Sequence, residues 1–173
     1  MQIRHRALVT CLGLGLVLSW SACKRPTNSG PDSKGASSNG AVTEKLDIEK
    51  ARQLSDGVAN DLINRRSAAL REKGEGAFRS QVDEAAFARM VDQMYQAYGM
   101  PLEFEFKNVE PGNKPSPNGE NRKMFKFWYA ARTSKAEKGR YFLFVEVVPG
   151  DQNVAFSSFA IVQFQGDAPE NLR

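Results

Sequence analysis

Glu103 and Glu105 stand two positions apart where Leu102, Phe104 and Phe106 alternate with charged side chains. Alternation of period two puts both carboxylates on one strand face, about 7 Å apart along the chain. Such a pair suits two-carboxylate chemistry, one group giving a proton while the other assists. The competing reading is a solvated strand face. The other candidate acids and bases are Asp92 and Glu146, with Tyr95, Tyr98, Tyr129 and Tyr141.

The inventory is otherwise thin. His5 is the sole histidine, and the two cysteines are Cys11 and Cys23. His5 and Cys11 fall inside an N-terminal leader. A chain cleaved before Cys23 has no imidazole base and one cysteine sulfur, so neither a Ser-His-Asp triad nor a separate cysteine nucleophile is expected. Zinc and copper sites draw mainly on His and Cys ligands, so no metal is expected either. No acidic calcium loop is present. Gly74-Glu75-Gly76 lacks the preceding strand of a phosphate loop. The sequence calls for no cofactor.

Two groups of side chains suit binding. Trp128 lies on the strand face opposite Phe127 and Tyr129, with Lys126 and Arg132 on its own side. Aromatic and cationic residues together make frequent binding anchors; the alternative is that Trp128 fills the second side of the sheet. Arg65, Arg66, Arg71, Lys73 and Arg79 form a local basic cluster. It suits lipid phosphate, an anionic polymer or an acidic partner, or it is a solvated helix face. The Pro115-Ser116-Pro117 run reads as a turn-rich insertion.

The positioning elements follow from periodicity. Thr43 is the expected cap of a helix starting at Glu44, with Ala51, Leu54, Val58 and Leu62 on one stripe and Ile63, Ala69 and Leu70 beyond. Gly57 costs about 1 kcal/mol inside such a helix, and Gly74 and Gly76 end the segment. A second helix starts at Asp83, with Val82 and Phe87 at hydrophobic-staple spacing. Phe87, Met90, Val91, Met94 and Tyr98 form its apolar face, Gly99 stops it and Pro101 follows. Four strands then follow. The first starts at Leu102. Pro111 to Asn121 is expected as a loop, and Lys123–Thr133 as the second strand. The third, Arg140–Val148, comes after a turn at Lys135 to Gly139, and the fourth, Val154–Phe164, after a turn at Pro149 to Asn153. Short connections favour an antiparallel meander. The expected fold class is α+β, with N-terminal helices packed on a curled four-stranded antiparallel sheet. One sheet face takes the helices and the other lines a pocket or a partner surface.

The N-terminus supplies an address. Arg4, His5 and Arg6 precede an apolar stretch from Ala7 to Trp20, about 14 residues and so of signal-peptide length. A bilayer-spanning helix needs ~20. Ser21 and Ala22 precede Cys23. These residues resemble a bacterial lipoprotein signal, although Trp20 stands where that family usually has Leu. The resemblance implies cleavage at 22, lipidation of Cys23 by acyl chains such as palmitate, and a membrane anchor. Each buried methylene contributes about 0.8 kcal/mol. Lys24 is compatible with sorting to the outer membrane, the domain facing the periplasm of a bacterial cell envelope. Cys23 also lacks a partner for an internal disulfide.

The resulting organisation is a signal peptide over 1–22, lipidated Cys23 and a flexible linker over 23–42, a domain over 43–166 and a tail over 167–173. Lys24 to Ala41 is rich in Ser, Gly, Asn and Pro; about 20 such residues reach roughly 25 Å. The chain holds 24 basic and 20 acidic residues. Removing 1–22 takes Arg4 and Arg6 and no acid, leaving 22 against 20, or +2. That balance and the export signal argue against nucleic acid as a partner.

The order of elements from Glu44 to Gln165, including FARMVDQMYQAYGMP before a strand, resembles the cystatin-like cone of nuclear-transport-factor-2-like proteins. That superfamily includes isomerases, dehydratases and binding domains, so fold alone does not select a function. The leading expectation is a membrane-anchored envelope lipoprotein with a non-catalytic module for a protein or envelope-polymer partner. A small-ligand pocket protein or isomerase-like enzyme of the cone fold, and a purely structural envelope role, stay open.

Overall fold

The computed structural model describes residues 46–116, 119–150, 153–164 and 167–172. The leader, Cys23, the linker and the expected cap Thr43 lie outside them. Helix α1 spans Ile48–Ile63 and is capped by Asp47, whose carboxylate accepts from the Glu49 N–H at 2.9 Å. The single long helical segment expected up to Gly74 is instead broken. Asn64 folds its side chain back onto Asn60, Arg65 takes φ 56, and the chain restarts as α2, Ser67–Glu72. A third helix, α3, spans Gly76–Gln81.

The break has a physical cause in Asp61, a carboxylate only 2% exposed. A buried charge needs partners. The turn at Arg65 brings Arg66 to Asp61 Oδ1 at 2.8 Å, and Lys73 from the end of α2 donates to Oδ2. Gly57 is part of this arrangement. A Cβ there would lie 3.1 Å from Lys73 Cε, so the missing side chain gives the lysine stem its path.

Helix α4 spans Glu84–Tyr98 with the expected Asp83 cap, which accepts from Ala86 N–H at 2.7 Å. Its buried stripe is Phe87, Val91 and Tyr95. Met90, expected on that face, is 54% exposed; the stripe runs at i, i+4, i+8 and leaves it outside. Gly99 ends the helix at φ 87, where a Cβ would meet the Lys135 backbone nitrogen at 2.9 Å. There the turn around Ser134 docks on α4, Thr133 Oγ1 donating to Tyr98 C=O at 2.8 Å.

Four antiparallel strands follow in sequential order: β1 Pro101–Pro115, β2 Asn121–Thr133, β3 Ala136–Gly150 and β4 Asn153–Gln163. The class is therefore α+β. The sheet is open, with β1 and β4 as its edges. Strand β1 continues through Pro111 and Gly112 to Pro115, where a loop was expected. It pairs there with residues Asn121 to Phe125, and an edge strand tolerates proline because one side of its ladder is unpaired. The expected turn at Lys135 to Gly139 is also shorter, since β3 begins at Ala136.

Alternation on the strands sorts the core. Phe127, Tyr129, Leu143, Val145, Val147, Phe156 and Ile161 pack with Val58, Leu62, Phe87 and Val91 of the helices. Trp128, Ala130, Phe142 and Val162 form a smaller cluster on the second face. Residues 167–172, read from sequence as tail, contribute to it: a short turn at Glu170–Leu172 buries Leu172 against this cluster.

Candidate functional site

Pairing in the β2–β3 ladder sets Trp128 opposite Phe144 and Lys126 opposite Glu146. The two rings meet edge to face, centroids 5.5 Å apart, and Phe164 approaches Trp128 at 6.1 Å. Lys126 Nζ lies 5.0 Å from the Phe144 centroid and 5.6 Å from that of Trp128. A cation over aromatic rings gains from their quadrupoles while its charge stays available at the surface. Lys126, Trp128 and Phe144 are each half-buried. The indole N–H of Trp128 is buried and has no hydrogen-bond partner among the described residues.

Glu146 anchors the end of this patch. Its carboxylate meets Lys126 at 3.1 Å and Lys114 at 2.9 Å, and accepts from Ser158 Oγ at 2.6 Å. Burial alone would raise its pKa. The Ser158 hydrogen bond and the two ammonium groups outweigh that and hold it at about 2. Glu146 is thus a fixed anion that orients lysines, and a poor proton donor at neutral pH. Lys114 belongs to β1, so the β1–β2 arm bends over the second face to reach it. Arg122, on the same arm, grips Glu75 with both terminal guanidinium nitrogens, one contact at 2.9 Å. The arm covers one end of the second face and the Leu172 turn covers the other. The Trp128–Phe144–Lys126 patch lies between.

The Glu103 and Glu105 carboxylates are committed elsewhere. Lys138 meets Glu103 at 2.7 Å and Glu105 at 3.0 Å; Arg132 holds Glu103 at 3.2 Å and Lys107 holds Glu105 at 3.1 Å. Hydrogen bonds from Lys138, then from Arg132 and Lys107, lower both pKa values. This is a surface ion network in which neither carboxyl is poised as an acid. Arg132 therefore sits in it, six residues and about 20 Å along β2 from Lys126, and the structure does not bring it to the Trp128 patch.

The basic cluster is largely spent on the fold. Arg66 and Lys73 neutralise Asp61, and Arg71 donates to the Val82 and Arg79 carbonyls, the former at 2.9 Å. Arg79 pairs with Glu72 at 3.7 Å. Arg65 is exposed at the break between α1 and α2. Arg65 and Arg66 thus belong to the helical layer, away from Lys126 and Trp128. Phe144, Glu146 and Lys114 complete the patch. Phe144 and Glu146 were recoverable from hairpin pairing with Trp128 and Lys126; Lys114 comes from a segment that looks like a loop.

The layer between helices and sheet is closed by Phe87, Phe127, Phe156, Leu62, Leu143 and Ile161. Within it, Tyr129 Oη lies 2.8 Å from both Ser55 Oγ and Asp56 Oδ1, and burial pushes its pKa well above the ordinary phenol value. Among the described residues the surface carries open depressions, two of which lie near the sheet's β1–β3 side. One of about 360 Å³ is bordered by Lys107, Ala130, Phe142 and Leu172, and one of about 490 Å³ by the Thr133–Lys138 turn. Neither enters the helix–sheet layer. Among the described residues no cluster of His, Cys, Asp and Glu forms a metal site, and no helix is long and apolar enough to cross a membrane. Comparison with protein-family models, curated proteins and solved structures finds no match.

Proposed function

We propose that this chain is a lipid-anchored protein of the bacterial cell envelope, at the outer membrane facing the periplasm, whose domain is a non-catalytic binding module. The partner is an envelope protein or polymer recognised by the second sheet face. The observation that carries this reading is the Trp128–Phe144–Lys126 patch, aromatic and cationic, on the sheet face opposite α1 and α4. The candidate catalytic carboxylates support it, since Glu103, Glu105 and Glu146 are each held by cations. The closed helix–sheet layer favours it over the small-ligand or isomerase-like alternative. The finer fold reading is a cone-like domain: helices lie ahead of the sheet in the chain, and Lys114 bends the β1–β2 arm inward. The address rests on the resemblance of Ser21-Ala22-Cys23 to a lipoprotein signal.

Two measurements test the proposal. Intact-mass analysis of the native protein should find a mature chain starting at an acylated Cys23; an unmodified thiol there rejects the anchor. Cross-linking in whole envelopes, then denaturing purification, should recover one dominant partner that Trp128→Phe with Lys126→Glu depletes. Equal recovery with that double variant rejects the face.

A further inference from the structure

The second face already carries an occupant. Within residues 167–172 only Leu172 is buried; Asp167, Pro169, Glu170 and Asn171 are exposed and Ala168 is half-buried. Leu172 is 2% exposed and packs on Ala130 and Phe142, which oppose each other in the β2–β3 ladder. Trp128, Val162 and Phe164 pack against the same cluster. Ala130 is the small residue among these larger ones, and the Leu172 side chain takes the room it leaves.

The turn is separable from the rest of the fold. The Leu172 N–H bonds to the Pro169 carbonyl at 2.9 Å, inside the turn, and adds no rung to the sheet. The cluster around Leu172 shares no residue with the helix–sheet core. Asn171 Nδ2 donates to Glu110 at 3.2 Å, an exposed contact. A segment with so little buried opens at low free energy compared with a core strand. Its fit is also incomplete. The Trp128 indole N–H is buried with no acceptor among the described residues, and an unpaired buried donor carries a desolvation cost that an acceptor would remove. Beside the turn a depression of about 360 Å³ stays open, bordered by Ala130, Phe142, Ala168 and Leu172.

We propose that the turn at Leu172 is a built-in stand-in for the partner and is displaced when the partner binds. The partner is a segment of another protein that seats an apolar side chain on Ala130 and Phe142 and turns a carbonyl to the Trp128 indole. This rests on the reading of the second face as the recognising surface. The occupant is selected by the one seated there, a polypeptide turn that inserts a leucine. A sugar polymer brings hydroxyls and no aliphatic side chain to that apolar floor. While the turn stays in place, Leu172 withholds the groove.

The test uses the full chain in mild detergent with Trp20→Phe, which leaves Trp128 as its one indole. The probe is a peptide of sequence DAPENLR, that of residues 167–173, read by indole emission. A tethered leucine competes at roughly millimolar effective concentration, so Leu172→Ala should bind the peptide at least about tenfold tighter than the chain that keeps its leucine. Asn171→Ala, which loosens the turn and keeps the leucine, should fall between. A peptide with alanine in place of its leucine should bind none of them. Equal affinity across the three chains, or binding indifferent to the peptide's leucine, overturns the proposal. In whole envelopes Leu172→Ala should raise the yield of the partner adduct, and excess peptide should suppress it. An unchanged yield overturns displacement and keeps the face; an adduct formed of glycan, or of a second copy of this chain, also overturns it. Leucine-dependent peptide binding with no adduct in any strain keeps the groove and rejects the face as the recognising surface.

Discussion

Lys114 Nζ of β1 lies 3.1 Å from Ser157 Oγ of β4, although β2 and β3 stand between their strands in the sheet. In a flat sheet the two edges would be about 14 Å apart, beyond the reach of one lysine. The contact therefore records the bend of the β1–β2 arm over the second face, fastened again by Arg122 on Glu75.

Releasing the arm should be measurable. Arg122→Ala removes a bidentate, largely buried contact and leaves Glu75 without its partner, which should cost about 2–3 kcal/mol. Chemical denaturation gives the magnitude, and hydrogen exchange should accelerate in residues 111–124 before the rest of the sheet.

Acid should act through Glu146. Its pKa is lowered from 4.5 to about 2 in the folded chain, so the folded state binds its proton less readily than the unfolded state. The stabilisation is present above pH 4.5 and is lost as pH falls toward 2, up to about 3 kcal/mol in all. Glu146→Gln should flatten the stability profile in that window; an unchanged acid limb would show that other carboxylates dominate.

Asp61 and Glu103 give a contrast within one chain. Asp61→Ala strands Lys73 and Arg66 beside a closed core, and partial solvent access lets them relax, so the expected loss is about 2 kcal/mol. Glu103→Ala removes only exposed pairs and should leave the melting midpoint unchanged. Differential scanning calorimetry of both variants checks the pair.

Tyr129→Phe tests the buried hydroxyl. It removes hydrogen bonds to Ser55 and Asp56 and leaves the fully buried Ser55 hydroxyl short of a partner. A cost of about 1–2 kcal/mol follows, read from urea denaturation.

Local signals were legible where one segment carries its own reason. Asp83, Phe87 and Gly99 place α4, and the alternation of Phe127, Trp128 and Tyr129 sorts the faces of β2. The legibility ended where distant segments decide. Nothing near Asp61 announces that it is buried, because its cations come from beyond a helix break that forms to bring them. Pro111 to Pro115 carry turn residues yet extend an edge strand, since pairing on one side satisfies them. Glu146 draws ligands from β1, β2 and β4, which no linear spacing reveals. Leu172 looks like a tail until Phe142 and Ala130 are seen to need a cover.

The second face as the recognising surface is tested most directly by photo-cross-linking in intact envelopes, with the photoreactive residue at position 144 in one strain and at exposed Met90 of α4 in another. A discrete adduct is expected from position 144, abolished by Lys126→Glu, and none from position 90. No adduct from 144, or the same adduct from both positions, would contradict it.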